Sequence, residues 1–404
     1  MSEVVLINIS GQDKPGVTAA LMDILAGYGA RVLDIGQAMV QDTLALGILI
    51  KIPDEAQSAP VLKELLFEAH KLDLRVRFTP VDEADYERGL SDEGAPRHVV
   101  TLLGRRVTAE QIGRIGHVVT DHGLNIEDIV RLSGRSALHD DDPASRACIE
   151  LTLHGEPRDP DAMKTAFLDI SKDLGVDISF QADNFYRRNR RLVVFDMDST
   201  LIQQEVIDEL AKEADVGEQV AKVTEAAMRG EIDFAESLSQ RVALLEGLPE
   251  SVLERVAQRL TLTEGAERLL KTLRTLGYRT AVISGGFTYF GRHLQTRLNL
   301  DYVHANELEI VDGRLTGRVV GPVVDGARKA ELLGNIADEE GIDLAQVIAV
   351  GDGANDLPML KLAGLGIAFH AKPLVQERAR QAISTLGLDG ILYLMGMKDA
   401  ELPH

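Results

Sequence analysis

The sequence predicts an α/β protein in which a doubly wound, parallel-sheet core with a helical insertion follows two smaller βαββαβ modules. Three observations predict it. A strand–helix–strand–strand–helix–strand order appears before residue 82 and recurs before residue 184. From Leu192 onward, helices alternate with short, wholly apolar strands, as in a parallel sheet covered on both faces. Between Gln203 and Thr263 the apolar spacing is helical throughout, and no strand interrupts it. The length of 404 residues also exceeds one ordinary core. The expected layout is module one at 1–82, a linker at 83–96, module two at 97–184 and the large domain at 185–404, with the insertion at about 203–263.

Composition narrows the function. Apolar residues make up 45% and charged residues 26%, values of a soluble globular chain. The net charge of −21 argues against sequence-independent binding of nucleic acid or of an anionic membrane, which needs a basic face. A small phosphate-bearing substrate stays compatible, because a site can be locally positive. One cysteine, Cys148, allows no intrachain disulfide and reads as a small buried apolar residue. Met1–Val4 lacks the basic segment and apolar core of a signal peptide. Apolar runs such as Leu44–Ile50 fall short of the roughly 20 residues of a bilayer span. A cytoplasmic protein is expected.

In module one, Val4–Ile9 reads as a strand, Gly11–Gly16 as a turn and Val17–Leu25 as a helix. Strands near Arg31–Gln37 and Leu44–Ile50, a helix at Val61–His70 and a strand at Leu74–Phe78 complete it. Val81–Pro96 is acidic and turn-rich, hence the linker. In module two, strand Val99–Leu103 meets a turn at Gly104, and Ile112, Ile115 and Val119 share a helix face. Leu124–Ile129 aligns with Ala30–Ile35, and strands Ile149–Leu153 and Val176–Gln181 follow. Leu138–Ser145, with its Asp run, reads as a solvated loop.

This doubled module resembles the ACT domain, a small fold that binds amino acids and regulates metabolic enzymes. Asp13-Lys14-Pro15-Gly16-Val17 before an apolar helix matches that family's ligand-loop pattern. The second copy departs from it, with Arg105-Arg106-Val107-Thr108 in the same place. The resemblance implies an amino-acid effector, serine among the candidates, near Asp13, Gly16, Gly104 and Asn125, and a homodimer; the departure means that the two copies need not be equivalent. Read alone, Gly16 and Gly104 only supply tight-turn conformations.

The large domain opens with a basic stretch, Arg187, Arg188, Arg190 and Arg191, read as a solvated connector. Leu192–Phe195 is a buried strand. The insertion holds helices near Val206–Ala214, Gln219–Met228, Phe234–Leu245 and Val252–Leu260. Helix Glu267–Leu276 leads to strand Tyr278–Ile283. Asn306–Ile310 and Arg314–Val320 form a hairpin around Asp312-Gly313, which suits a type I′ turn. Helix Ala327–Glu340, strand Val347–Val350 and a last core strand, Leu365–Phe369, follow.

Three of these strands end in polar clusters: Asp196/Asp198, Ser284/Gly285 and Asp352/Asn355/Asp356. Lys329 lies in the first turn of a helix. An open parallel sheet gathers such strand ends in one crevice. Together they hold what phosphoryl transfer from a monoester needs: a carboxylate to attack phosphorus, a second carboxyl to move the proton, oxygen ligands for Mg²⁺, and a hydroxyl and lysine for the phosphoryl oxygens. The ten histidines, His117, His293 and His370 among them, show no ligand spacing.

This constellation resembles the haloacid dehalogenase superfamily of phosphohydrolases, with a Rossmann-like core. Asp196-Met197-Asp198-Ser199-Thr200, Ser284-Gly285-Gly286, Lys329 and Gly351–Asp356 fit its four motifs. The resemblance implies Asp196 as nucleophile and Asp198 as general acid/base. It puts Ser284 and Lys329 on the phosphoryl group, with Gly285 and Asn355 among the substrate-binding residues. One Mg²⁺ falls on Asp196, the Asp198 carbonyl and Asp352, with Asp356 in support. In the insertion, Glu205 and Arg241 suit a zwitterion, one holding an ammonium and the other forking a carboxylate. From Asp196 through Glu205, Met228, Phe234 and Arg241 the segment resembles the phosphoserine phosphatase family, which implies that Glu205 and Arg241 grip the amino acid and that Met228 and Phe234 line an apolar wall. Its implication is hydrolysis of O-phospho-L-serine, the last step of serine biosynthesis. The alternatives are a relative acting on another phosphometabolite or phosphoprotein, and an amino-acid sensor on a dead phosphatase domain.

Overall fold

A computed structural model describes residues 3–53, 58–92, 94–135, 142, 145–379 and 381–402. The chain forms two compact units, Met1–Ala95 and Pro96–His404.

The first unit is a four-stranded antiparallel sheet in the order Arg31–Val40, Thr43–Ile52, Glu3–Gln12, Leu74–Val81. Strand alternation turns Val5, Ile7 and Ile9 to the same side as Leu46, Ile48 and Ile50. There they pack on Leu21 and Leu25 of helix Val17–Gly27 and on Val61 and Leu65 of helix Ser58–Lys71. The acidic stretch that follows carries a helix, Glu83–Asp92.

The second unit opens with a similar sheet, ordered Asn125–Arg131, Ala147–His154, Arg97–Gly104, Asp177–Ala182. Its helices are Ala109–Asp121 and Pro160–Leu174. Asp159 caps the latter, whose Met163, Phe167 and Ile170 face inward. The predicted loop Leu138–Ser145 lies outside the described residues, apart from Asp142 and Ser145.

Beside it stands a seven-stranded sheet in the order Arg314–Val320, Tyr302–Val311, Arg279–Phe287, Leu192–Phe195, Val347–Gly351, Leu365–Phe369, Gln381–Ile383. All neighbours run parallel except the first pair. The hairpin turn has positive φ at Asp312 (50°) and Gly313 (72°), as a type I′ turn requires. Leu365–Phe369 is not the last strand: Gln381–Ile383 adds an edge too short to leave a periodic signal. Leu192 and Val194 point to the layer of Leu333 and Ile336, whereas Val193 and Phe195 point to that of Leu269, Leu273 and Phe290. The insertion forms helices Val206–Glu213, Gly217–Met228, Phe234–Ala243 and Ser251–Arg259. Among the described residues no helix is long and apolar enough to cross a membrane.

The basic connector is half buried, contrary to expectation. Arg188 and Arg191 are exposed, but Arg187 keeps 1% of its surface, ion-paired to Glu150 and 3.6 Å from Asp183. Arg190 is buried and donates to the Ala345 carbonyl. A short helical turn, Phe185–Arg188, tucks these side chains where buried acceptors await them, and a charge run in sequence does not reveal its partners.

Candidate active site

Leu192–Phe195 lies between Arg279–Phe287 and Val347–Gly351, so the chain leaves the sheet in opposite senses at its carboxyl end. Such a switch point opens a crevice. Asp196 is fixed there by its own amide, which donates to the Val350 carbonyl at 2.8 Å. Residues Met197–Leu201 then make one wide turn, closed by Ile202 N–H on the Met197 carbonyl at 3.1 Å. Ser199 sits in the left-handed region at φ 54°, local strain of the kind found at functional sites.

The carboxylates are buried and unequal. Asp196 Oδ1 accepts from the Met197 amide at 2.8 Å and lies 2.9 Å from Lys329 Nζ. The same ammonium donates to Asp356 Oδ1 at 2.6 Å, and Gly353 N–H holds the other Asp356 oxygen at 2.9 Å. Burial disfavours the Lys329 ammonium, but Asp196 and Asp356 outweigh it and raise its pKa. Carboxylate oxygens of Asp196, Asp352 and Asp356 lie within 4.8 Å of one another. Burial, then Asp196, Asp356 and Glu205, push Asp352 up to about 8. That excess of negative charge around hard oxygen atoms fits a divalent cation such as Mg²⁺. Asp198 is separate in character. Its Oδ1 accepts from Val206 N–H at 2.9 Å, and burial with Glu205 and Asp196 raises its pKa well above the carboxylate range.

Ser284 has no exposed surface, and its Oγ accepts from Gly286 N–H at 2.9 Å. The glycines here are close approaches. A Cβ on Gly286 would stand 2.4 Å from Asp198 Oδ2, and one on Gly285 would stand 2.7 Å from Phe234 Cζ. Phe234 therefore brings the cap onto the Ser284 loop. Glu205, the residue before helix Val206–Glu213, accepts from Ser199 Oγ at 2.7 Å. It keeps exposed surface yet is crowded by protein, which raises its carboxyl against the lowering pull of Ser199. Arg241 donates Nε–H to the Ser237 carbonyl at 3.3 Å; burial lowers its pKa, while Glu205, Asp208 and Asp198 oppose that. Met228 ends its helix, and its side chain lies outside those described. Asn355 is half-buried in the loop after Val347–Gly351.

Four supporting residues were not singled out from the sequence. Thr200 Oγ1 donates to Asp352 at 3.2 Å, and the Ser199 hydroxyl holds Glu205. Asn306 donates to the Gly285 carbonyl at 2.8 Å and accepts from Val324 N–H at 2.8 Å. Asp208 adds charge beside Arg241. The segment Tyr302–Ile310 carries His304, Asn306, Glu307 and Glu309, so nothing in the sequence set Asn306 apart.

The effector candidates divide between the units. Asp13 and Gly16 share the loop before helix Val17–Gly27, where Gly16 has φ 91°. Gly104 pairs with Ala147 and Asn125 with His154, at opposite ends of strand Ala147–His154. At about 3.3 Å per residue they stand about 20 Å apart and cannot share one small ligand.

Residues 193–361 match the model of the haloacid dehalogenase-like hydrolases, and residues 3–79 and 96–181 match two ACT-domain models. Fold and site thus define a haloacid dehalogenase-like hydrolase with two ACT domains. A phosphoserine phosphatase of Streptomyces coelicolor is 43% identical over 98% of this chain and 93% of its own. Another, of Mycobacterium tuberculosis, is 42% identical over 98% and 94%. The chain belongs to the phosphoserine phosphatase family. Among solved structures, a probable phosphoserine phosphatase from Vibrio cholerae, unliganded, is 37% identical with a TM-score of 0.58, covering 76% of this chain and 87% of that one. A hydrolase of the same superfamily from Salmonella enterica is 31% identical with a TM-score of 0.64, covering 74% and 98%.

Proposed function

We propose that the chain hydrolyses O-phospho-L-serine to L-serine and phosphate through an aspartyl-phosphate on Asp196. The observation that carries this reading is Glu205, hydrogen-bonded at 2.7 Å to Ser199 of the Asp196 turn and close enough to Asp196 and Arg241 for both charges to act on it. Glu205 binds the substrate ammonium and Arg241 its carboxylate, which turns the phosphate toward Asp196. Among the described residues, both donors to Asp196 fall on Oδ1, so Oδ2 attacks phosphorus. The bond from phosphorus to the seryl oxygen breaks, and Asp198, raised in pKa, gives that oxygen its proton. Asp198 then takes a proton from water, the water oxygen attacks phosphorus, and phosphate leaves as Asp196 is restored. Lys329, Ser284 and backbone amides hold the phosphoryl oxygens as charge develops. Asp196, Asp352 and the Asp198 carbonyl would hold Mg²⁺, which offsets repulsion between the nucleophile and the phosphate dianion.

In this reading the chain acts in the cytoplasm, supplying serine to biosynthesis, and the ACT domains bind an amino acid such as serine and pair two copies into a homodimer. A phosphate-release screen over phosphorylated metabolites, with and without Mg²⁺ and with added amino acids, tests it. O-phospho-L-serine should stand first, and only with Mg²⁺. A different preferred phosphoester overturns the substrate; no release at all favours a sensor.

A further inference from the structure

The cap joins the core through two chain crossings, Leu201–Gln204 outward and Thr261–Thr263 on return. They pair as a short antiparallel ribbon. Ile202 bridges Leu262, Thr263 N–H donates to the Leu201 carbonyl at 3.0 Å, and Gln203 N–H donates to the Thr261 carbonyl at 3.0 Å. The Gln204 side chain adds two bonds to Thr261, accepting from its amide at 3.0 Å and donating to its hydroxyl at 3.2 Å. Any swing of the cap helices must bend this ribbon. Its outgoing strand continues into Glu205 and into Val206, whose amide holds Asp198.

One residue beyond the ribbon, Glu264 is gripped from the other side. Arg105 donates Nη1–H at 2.9 Å and Nη2–H at 2.7 Å to its two carboxylate oxygens, a fork that fixes direction as well as distance. The Glu264 carbonyl accepts from Leu388 N–H at 2.8 Å. Nearby, Arg146 pairs with buried Asp389, which lies so close to Gly265 that a Cβ there would stand 2.3 Å from Asp389 Oδ1. Arg105 and Arg146 both belong to the second ACT domain. Arg105 directly follows Gly104, in the loop that takes the place of Asp13–Val17 in the first copy.

We propose that Arg105 and Glu264 are positioning residues that tie the second ACT domain to the cap hinge and so set how Glu205 and Arg241 meet the substrate. The inference rests on the zwitterion reading of those two residues. Both members of the pair are partly exposed, at 34% and 49%, so the pair adds little stability. Its effect is on position: it anchors the returning strand while the outgoing strand moves. The loop that departs from the ACT ligand pattern is then a mechanical contact, and a shift of that loop reaches the hinge directly.

A double-mutant cycle on the full chain with Mg²⁺ tests the pair: Arg105→Ala, Glu264→Ala and both together. The measurements are kcat and KM for O-phospho-L-serine and for a small aryl phosphate, with hydrogen exchange at Gln203 and Thr263. Each single change should raise KM for phosphoserine about three- to tenfold, the aryl phosphate should stay within about twofold, and the double variant should be no worse than either single one. Exchange at the two hinge amides should quicken in all three. Unchanged kinetics and exchange, losses that multiply in the double variant, or equal losses on both substrates would each overturn the inference. If the parent chain releases no phosphate from phosphoserine, the functional reading fails, and hydrogen exchange alone still decides whether the pair holds the hinge.

Discussion

Lys329 carries the charge balance of the site. With no exposed surface, it stands 2.9 Å from Asp196 and 2.6 Å from Asp356. Lys329→Met should leave two buried carboxylates without a counter-charge, cost about 3–5 kcal/mol in denaturant unfolding and abolish turnover. Arg241→Ala should raise KM for phosphoserine by about thirtyfold, since a charge partner is worth about 2 kcal/mol or more, and leave an aryl phosphate nearly unchanged. Equal losses on both would remove the zwitterion clamp. The four motifs were legible because each polar cluster follows an apolar strand, or, for Lys329, opens a helix. Thr200, Ser199 and Asn306 were not legible as supports. Their roles depend on which strand lies beside which, and Asn306 reaches the site only because its strand pairs with Arg279–Phe287.

The elements are held by close backbone approaches and by a few buried ion pairs. A Cβ on Gly366 would lie 2.0 Å from the Leu360 carbonyl, backbone against backbone. Gly366→Ala should therefore cost about 3 kcal/mol, read by chemical denaturation. Asp399 accepts from Gly134 N–H at 2.7 Å, Arg268 at 2.8 Å and Tyr393 at 2.9 Å. Burial pushes its carboxyl up, but these donors outweigh it and hold it below the ordinary value. A lowered carboxylate stabilises the fold above its unfolded pKa near 4, and that stability is lost as pH falls through the folded value. Asp399→Asn should thus cost about 1–2 kcal/mol at pH 7 and flatten the acid dependence below about pH 4. Amphipathic helices and wholly apolar strands were readable from periodicity. Strand Gln381–Ile383 was too short to read, and buried Arg187 looked like a surface charge until Glu150 stood beside it.

At the scale of the whole molecule, the two ACT domains stand differently. The first lies within a compact unit of its own, Met1–Ala95, whereas the second shares a unit with the phosphatase core. Gln381 binds both the amide and the carbonyl of Phe180 through its side chain, and Lys164 donates to the Ala379 carbonyl at 2.6 Å. A chain of residues 96–404 should therefore fold and keep kcat within about threefold, while one of residues 185–404 should lose stability from exposing this seam. Circular dichroism melts and phosphate release on the two chains check this. The order of modules was visible from the repeat, but a repeat cannot tell a copy that forms a unit of its own from one that shares a unit with the core.

The central claim is that Asp196 carries the phosphoryl group. Rapid acid quench of the Mg²⁺ enzyme with isotope-labelled O-phospho-L-serine, followed by peptide mapping, reads it most directly. The label should be hydroxylamine-labile, confined to the peptide holding residue 196 and absent from Asp196→Asn. Label on another residue, or full turnover by Asp196→Asn, would contradict it.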